Sequence, residues 1–385
     1  MRIAFYAPMK PPTSPRPSGD RRMARLLMEA LARSGHAVEL SAVFRSWQGK
    51  ADAARQARLA DTGVRLAARL VRRYRARPPE ARPELWFTYH LYYKAPDWIG
   101  PHVADALGIP YVVAEASHAP KRTNGPWAVG HAATEAAIRR ADALIGLNAH
   151  DSACLRPLLD NADHRLVPLR PFLDAAPYAA AAAAGDIHRR AAVAAFALAQ
   201  DVPLLLVVAM MRSGDKLASY RVLADALARL QDAPWQLLVV GDGPARDDVA
   251  AALAPFGARV RYAGERAPGQ MPALYAAADI LVWPAVREAF GMAMLEAQAA
   301  GVPVVAGRAG GVADTVRDGE TGLLAPEGDP AAFADALREL LADPTQRRAM
   351  GQAALAVVAR DHAMNAAGRA IDAALACACA GRRAA

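Results

Sequence analysis

Apolar and polar positions fall in blocks along the chain. Arg2-Ile-Ala-Phe-Tyr-Ala7 is a short apolar run that ends in a Pro/Gly/Ser-rich loop reaching Gly19. Met23-Ala-Arg-Leu-Leu-Met-Glu-Ala-Leu31 has the period of a helix, closes at Ser34-Gly35-His36, and is followed by an apolar run over 37–43. Strand, loop, helix, glycine stop and strand make a βαβ unit. The alternation recurs, with strands predicted at 85–89, 111–114 and 143–147 and helical pieces around 98–107 and 131–140. Residues 51–77 predict one long basic helix. After Pro171-Phe-Leu-Asp174 comes a tract of almost pure alanine over 175–184, which ends at Gly185 and reads as a helical linker. Alternation then restarts, with strands at 203–210, 236–240, 260–263, 280–284 and 303–306 and helices at 220–230, 245–253, 271–277 and 292–300. Near-continuous apolar strands between helices imply parallel sheets covered on both faces. The expected class is α/β, with two doubly wound sheets. Three segments follow from this: a domain over 1–180, a second over 181–360, and a helical segment over 361–385. Ligands belong at the carboxyl ends of such strands.

Composition narrows the class. The 385 residues are 54% hydrophobic and 22% charged, enough for a sizeable core and too apolar for disorder. Three cysteines, Cys154, Cys377 and Cys379, do not make a disulfide framework or a four-ligand zinc site, which points to a reducing, cytoplasmic setting. No apolar run approaches the ~18 residues of a spanning helix. The start of the chain runs into prolines without a secretory pattern. The net charge of +8 is uneven: residues 1–180 hold 26 Lys+Arg against 16 Asp+Glu, and the remainder 20 against 22. A basic first half suits an anionic partner. The helix over 51–77 suits an anionic membrane surface or simply a solvated face. Nothing points to nucleic acid.

The densest chemistry lies in Glu288-Ala-Phe-Gly-Met-Ala-Met-Leu-Glu296, after a run ending at Trp283-Pro284. Phe290, Gly291 and Met292 fall near a helix N-terminus, where free N–H groups and the helix dipole favour an anion such as a diphosphate. Glu288 and Glu296 are separated by at most about 12 Å of helix. That is too far for carboxylates sharing a proton, but it suits carboxylates that each bind a vicinal diol. Two helix-surface glutamates would show the same spacing. Asp247-Asp248 sits at a helix start, where acids complement the dipole, and no acidic metal box stands at a strand end.

With Gly301-Val-Pro-Val-Val305, Gly310-Gly311, Asp318-Gly-Glu-Thr-Gly322 and Gly322-Leu-Leu-Ala-Pro326, this stretch resembles glycosyltransferase family 4, the retaining GT-B enzymes. Gly241-Asp-Gly-Pro244 and Leu274-Tyr-Ala-Ala-Ala-Asp279 fit the same pattern. The match is dense over about 200–345 and holds only in outline before that. The resemblance implies a GT-B fold, two Rossmann-like domains facing across a cleft. It also implies transfer of a hexosyl group from a nucleotide-diphosphate sugar, without a metal or other cofactor, to an acceptor that the sequence does not name. A glycan, a lipid-linked sugar or a small molecule would serve, and an anionic or lipid-linked acceptor fits the basic half.

The resemblance also implies roles for residues. Arg212 and Lys216 in Met210-Met-Arg-Ser-Gly-Asp-Lys216 would neutralise the donor diphosphate. The family pattern sets the two basic residues five apart with Gly after the Lys. Here they are four apart and Leu217 follows. Glu288 would contact the transferred sugar and Glu296 the ribose. Backbone amides at Phe290, Gly291 and Met292 would reach sugar and phosphate, with Gly241 on the donor side and Gly19 bordering the acceptor or phosphate side. His118, in Glu115-Ala-Ser-His118, is the candidate N-domain histidine near the sugar, with Glu115, Ser117 and His90 as alternatives. Ser18 or Asp20 is expected to cap the first helix. The aromatic run Trp86-Phe-Thr-Tyr-His-Leu-Tyr-Tyr93 suits stacking on an acceptor or a core with its rim. A nucleotide-sugar epimerase or a non-catalytic nucleotide-sugar binder are the alternatives on this fold. A dinucleotide dehydrogenase is disfavoured, because no Gly-x-Gly-x-x-Gly follows the first strand.

Overall fold

The computed structural model describes residues 1–16, 18–159, 162–288 and 291–383. The apolar runs form strands, the central ones buried on both faces, and the chain divides into two compact units. The first comprises Met1–Arg170 with Met364–Ala385, and the second Pro171–Ala363.

In the first unit the strands are β1 (Arg2–Tyr6), β2 (Ala37–Ala42), β3 (Leu85–Leu91), β4 (Tyr111–Ala116), β5 (Ala143–Gly146) and β6 (Leu166–Pro168). Between them run α1 (Gly19–Arg33), α2 (Ala53–Arg75), α3 (Gly100–Leu107), α4 (Ala128–Arg140) and α5 (Ala149–Leu155). The sheet is parallel in the order β2-β1-β3-β4-β5-β6. Chain direction across the sheet therefore reverses between β1 and β3. Ser18 caps α1, its Oγ accepting from Arg21 N at 3.2 Å, so Asp20 is released from capping. Under β3 and β4, Asp97 is buried and accepts from the N–H groups of Ile99 (2.9 Å) and Gly100 (2.7 Å) and from Tyr111 OH (2.9 Å). It thereby caps α3 from the core. At the end of α2 part of the positive charge serves the fold: Arg73, with Arg77 just beyond the helix, binds Glu39, and Arg75 reaches the Ala106 carbonyl.

In the second unit α6 (Ala176–Ala182) and α7 (Gly185–Phe196) precede β7 (Leu204–Val208), α8 (Asp215–Leu227), β8 (Gln236–Val240), α9 (Arg246–Leu253) and β9 (Val260–Gly264). Then come α10 (Met271–Ala276), β10 (Ile280–Trp283), α11 (Met292–Ala299), β11 (Val304–Arg308), β12 (Gly322–Pro326), α12 (Pro330–Ala342) and α13 (Pro344–Val357). This sheet is also parallel, ordered β12-β11-β10-β7-β8-β9. Its reversal lies between β7 and β10. Leu204, Leu205, Leu206 and Val207 are fully buried, as are Leu237, Leu238 and Val239 on the next strand. Each such side chain contributes about 1.5–3 kcal/mol.

The alanine tract is not a free linker. It forms α6, inside the second unit, with Tyr178 buried and its ring 5.9 Å from that of Tyr275 on α10. Alanine suits the helix, and the one aromatic anchors it. The division of the chain precedes the tract. The last helix, α14 (Met364–Arg383), belongs to the first unit, where His36 Nε2 lies 2.9 Å from Asp372 Oδ1.

Candidate functional site

At the reversal point of an open α/β sheet the loops after the two flanking strands part in opposite directions and leave a crevice. In the second unit those loops follow β7 and β10. After β7 the chain passes Arg212 and Gly214, whose φ of 81° turns it into α8, so that Lys216 is the second helical residue. After β10 it makes a tight turn in which two residues that are not glycine, Ala285 (φ 58°) and Arg287 (φ 49°), take the left-handed conformation. Such strain persists only where neighbours enforce it. Here Ser219 Oγ of α8 accepts from Val286 N at 3.0 Å, and Glu327 Oε1 accepts from Arg287 N at 2.9 Å.

That turn delivers Glu288 to Lys216. The Lys216 ammonium is ion-paired with Glu288 Oε2, which also accepts from Trp283 Nε1 at 3.1 Å. The ammonium lies 5.2 Å from the Trp283 ring centroid, and that indole meets Tyr220 edge-on at 5.2 Å. Neither charge is fully withdrawn from solvent: the side chains retain 29% and 19% exposure. A cation and an acid are thus presented at the crevice, and both can engage a polar ligand.

Glu296 lies farther along α11. It is buried, and its Oε2 accepts from Tyr275 OH at 2.7 Å. The packing of Gly241 explains its residue type. With φ at 141°, a Cβ there would meet the Ala209 carbonyl oxygen at 2.0 Å, so the loop after β8 runs directly against the loop after β7. Ala209 N to Val240 O (3.1 Å) and Met211 N to Asp242 O (3.0 Å) stitch the two loops together. Gly291 (φ 67°) and Met292 begin α11, while Phe290 lies outside the described residues. Arg212 is exposed, its guanidinium against Met210 Sδ at 2.8 Å, and it is not paired with Glu288.

The first unit has its own reversal point, between β1 and β3. Asp20, at the start of α1, is 3.0 Å from His90 Nδ1, and Glu115 Oε1 is 3.7 Å from the same nitrogen. His90 (φ 62°) and Glu115 (φ 58°) are both left-handed, side by side between the register pairs Tyr89–Ala114 and Leu91–Ala116. Two adjacent non-glycine outliers at the carboxyl ends of central strands mark an enforced arrangement. Burial pushes the Asp20 carboxyl up, but the hydrogen bond and charge of His90, with Lys10, hold it below its usual range. Gly19, one residue earlier, has no positive φ, and an added Cβ there would meet nothing within 4 Å. The fold does not require a glycine there.

His118 has other partners. Its ring packs on His131 (centroids 5.0 Å), and its Nε2 faces Glu135 Oε2 at 3.4 Å on α4. Sequence spacing singled out His118 because it follows β4 closely, whereas His90 and Asp20 meet only through strand register. The aromatic run divides by burial: Trp86, Phe87 and Tyr89 are core, and Tyr92 OH accepts from Trp47 Nε1 at 3.0 Å.

Comparison with known proteins fits this geometry. Residues 202–343 match the family model described as glycosyl transferases group 1. A D-inositol 3-phosphate glycosyltransferase of Corynebacterium diphtheriae is 46% identical over 107 residues, 28% of this chain and 24% of that protein. The enzyme of that name from Nocardia farcinica is 33% identical over 229 residues, 57% of this chain and 49% of the relative. The chain thus spans between a quarter and a half of the length of these relatives. Among solved structures, Anabaena Alr3699/HepE in complex with UDP superposes with a TM-score of 0.71 at 17% identity, covering 98% of this chain and 100% of that one. Sucrose-phosphate synthase from Thermosynechococcus elongatus gives 0.69 at 22% identity, covering 96% and 97%. Two six-stranded parallel sheets of Rossmann type, with these neighbours, define the GT-B fold. Within that class, residues 202–343 match the group 1 glycosyltransferases, the kinship expected from the sequence's resemblance to glycosyltransferase family 4.

Proposed function

We propose that the protein transfers a hexosyl group from a nucleoside-diphosphate sugar to an acceptor with retention of anomeric configuration. The observation that carries this reading is the Lys216–Glu288 pair at the reversal point of the second sheet. Lys216 supplies positive charge for the diphosphate as it leaves, and Arg212, exposed on the same loop, adds to it. Glu288 accepts hydrogen bonds from the sugar hydroxyls. Glu296, oriented by Tyr275, accepts from the ribose. The N–H groups that open α11 reach the phosphates. In this mechanism the leaving phosphate oxygen takes the acceptor proton, so no separate carboxylate base is required.

On the acceptor side, His90 is the titratable group at the reversal point of the first sheet, held by Asp20 and Glu115. The open space at Gly19 supports a ligand passing beside the start of α1. The relatives named above act on D-inositol 3-phosphate, and the Anabaena neighbour is bound to UDP and to UDP-glucose. UDP-sugars and phosphorylated polyols are therefore the first donors and acceptors to try.

A thermal-shift screen over nucleotide-sugars identifies the donor, because the ligand that binds the native state must raise the melting temperature. NMR of the product formed from that donor then reads the anomeric configuration. A β-linked product from an α-linked donor, or no stabilisation by any nucleotide-sugar, would sink the reading. Peripheral membrane contact is a secondary part of the proposal, carried by exposed Arg58, Arg69 and Arg72 on α2. Among the described residues no helix is long and apolar enough to cross a membrane. Co-sedimentation with anionic but not neutral vesicles checks the surface contact.

A further inference from the structure

The loop between β4 and α4 brings three metal-ligating side chains together, apart from the residues assigned above to donor binding. His131 and Glu135 are one turn apart on α4 and so share a face. His118 comes from the loop. One ligand atom from each lies within 4.8 Å of the others. His118 Nε2 and Glu135 Oε2 are 3.4 Å apart, which is the ligand–ligand separation of about 3.3–3.4 Å that tetrahedral zinc imposes with its bonds of about 2.0–2.1 Å.

The orientation of each group fits a ligand rather than a filled core. His131 is 3% exposed, and its Nε2 is buried without a hydrogen-bond partner. The Ala119 backbone also interacts with this ring, the kind of outer partner that orients a ligating imidazole. Arg139 Nε holds Glu135 Oε1 at 3.2 Å, so the carboxylate is fixed with Oε2 turned toward His118. The His118 side chain keeps 9% exposure and that of Glu135 32%, giving a path for entry on the carboxylate side.

We propose that His118, His131 and Glu135 form a binding site for a divalent first-row transition metal, zinc being the best match, with one coordination position left to water. Two imidazoles and one carboxylate are a zinc ligand set. The ion would fasten the loop that leads out of Glu115 onto α4.

The test uses tag-free full-length protein stripped with chelator, with Cys377 and Cys379 replaced by serine to silence the tail thiols. Titration with Zn²⁺ by calorimetry, and with Co²⁺ by visible absorption, should each give one saturable equivalent. The Co²⁺ spectrum should show d–d bands without thiolate charge transfer. His118→Ala, His131→Ala and Glu135→Gln should each weaken binding at least about tenfold, since even second-sphere partners cost 10–100-fold. Because His131→Ala removes a buried ring, Glu135→Gln on the half-exposed face is the deciding variant if the former does not fold. No saturable binding, or equal affinity in the wild type and Glu135→Gln, overturns the site and leaves His118 and Glu135 as a simple charge pair.

Discussion

Lys216 and Glu288 are ion-paired across the point where the second sheet reverses direction, one delivered by the loop after β7 and the other by the loop after β10. Each holds the other in place while no ligand is present. Trp283 donates to the same carboxylate oxygen, so Glu288 would keep a fixed partner if Lys216 turns to a phosphate as proposed. Lys216→Ala should therefore lower kcat by about 10²-fold with a smaller change in donor KM, as removal of one transition-state donor does elsewhere. Steady-state kinetics with the true donor checks the split.

Glu296 is expected to act on binding rather than turnover. Glu296→Ala should raise the donor Kd by about tenfold or more, the loss of a charge-assisted hydrogen bond. Tyr275→Phe should follow in the same direction with a smaller effect, because it releases Glu296 Oε2 without removing the carboxylate. Calorimetric titration of both variants measures this.

Two glycines separate packing from ligand space. Gly241→Ala places a methyl 2.0 Å from the Ala209 carbonyl oxygen at a φ of 141° and should cost about 3 kcal/mol. Gly19→Ala meets nothing and should leave stability within about 0.5 kcal/mol, while lowering activity if a ligand passes there. Denaturant melts of the two variants, set beside their rates, show which glycine serves the fold.

The Asp20–His90 pair has a defined pH signature. The Asp20 carboxyl titrates below its unfolded value, so its stabilisation is fully present above the unfolded pKa of about 3.9 and is lost as the pH falls through the lower folded value. Asp20→Asn should therefore cost stability at pH 6 and cost less as the pH drops below about 4. Urea melts across that range test it; a difference that grows on acidification would contradict the assignment. His90→Ala should reduce kcat more than His118→Ala does.

The order of strands and helices was legible because buried parallel strands are nearly continuous apolar runs. β6 and β12 do not stand out in the sequence: one is only three residues long, and the other begins with Gly322 and ends with Pro326, both weak strand formers. Lys216, Glu288 and Glu296 were visible as local motifs with recognisable spacing. Asp20, His90 and Glu115 were not visible as a group, since β1, β3 and β4 bring together residues 70 and 25 positions apart only when the sheet forms. The basic helix looked like a uniform charged face. Glu39 and the Ala106 carbonyl, both from other elements, take up part of that charge.

The position of α14 bears on how the protein is made. The first unit is interrupted in sequence, since its last helix arrives only after residue 363, whereas the second unit is continuous. On the ribosome, where domains fold as they emerge, the second unit can complete its core while α1 still lacks a neighbour. The half that comes out first therefore finishes last.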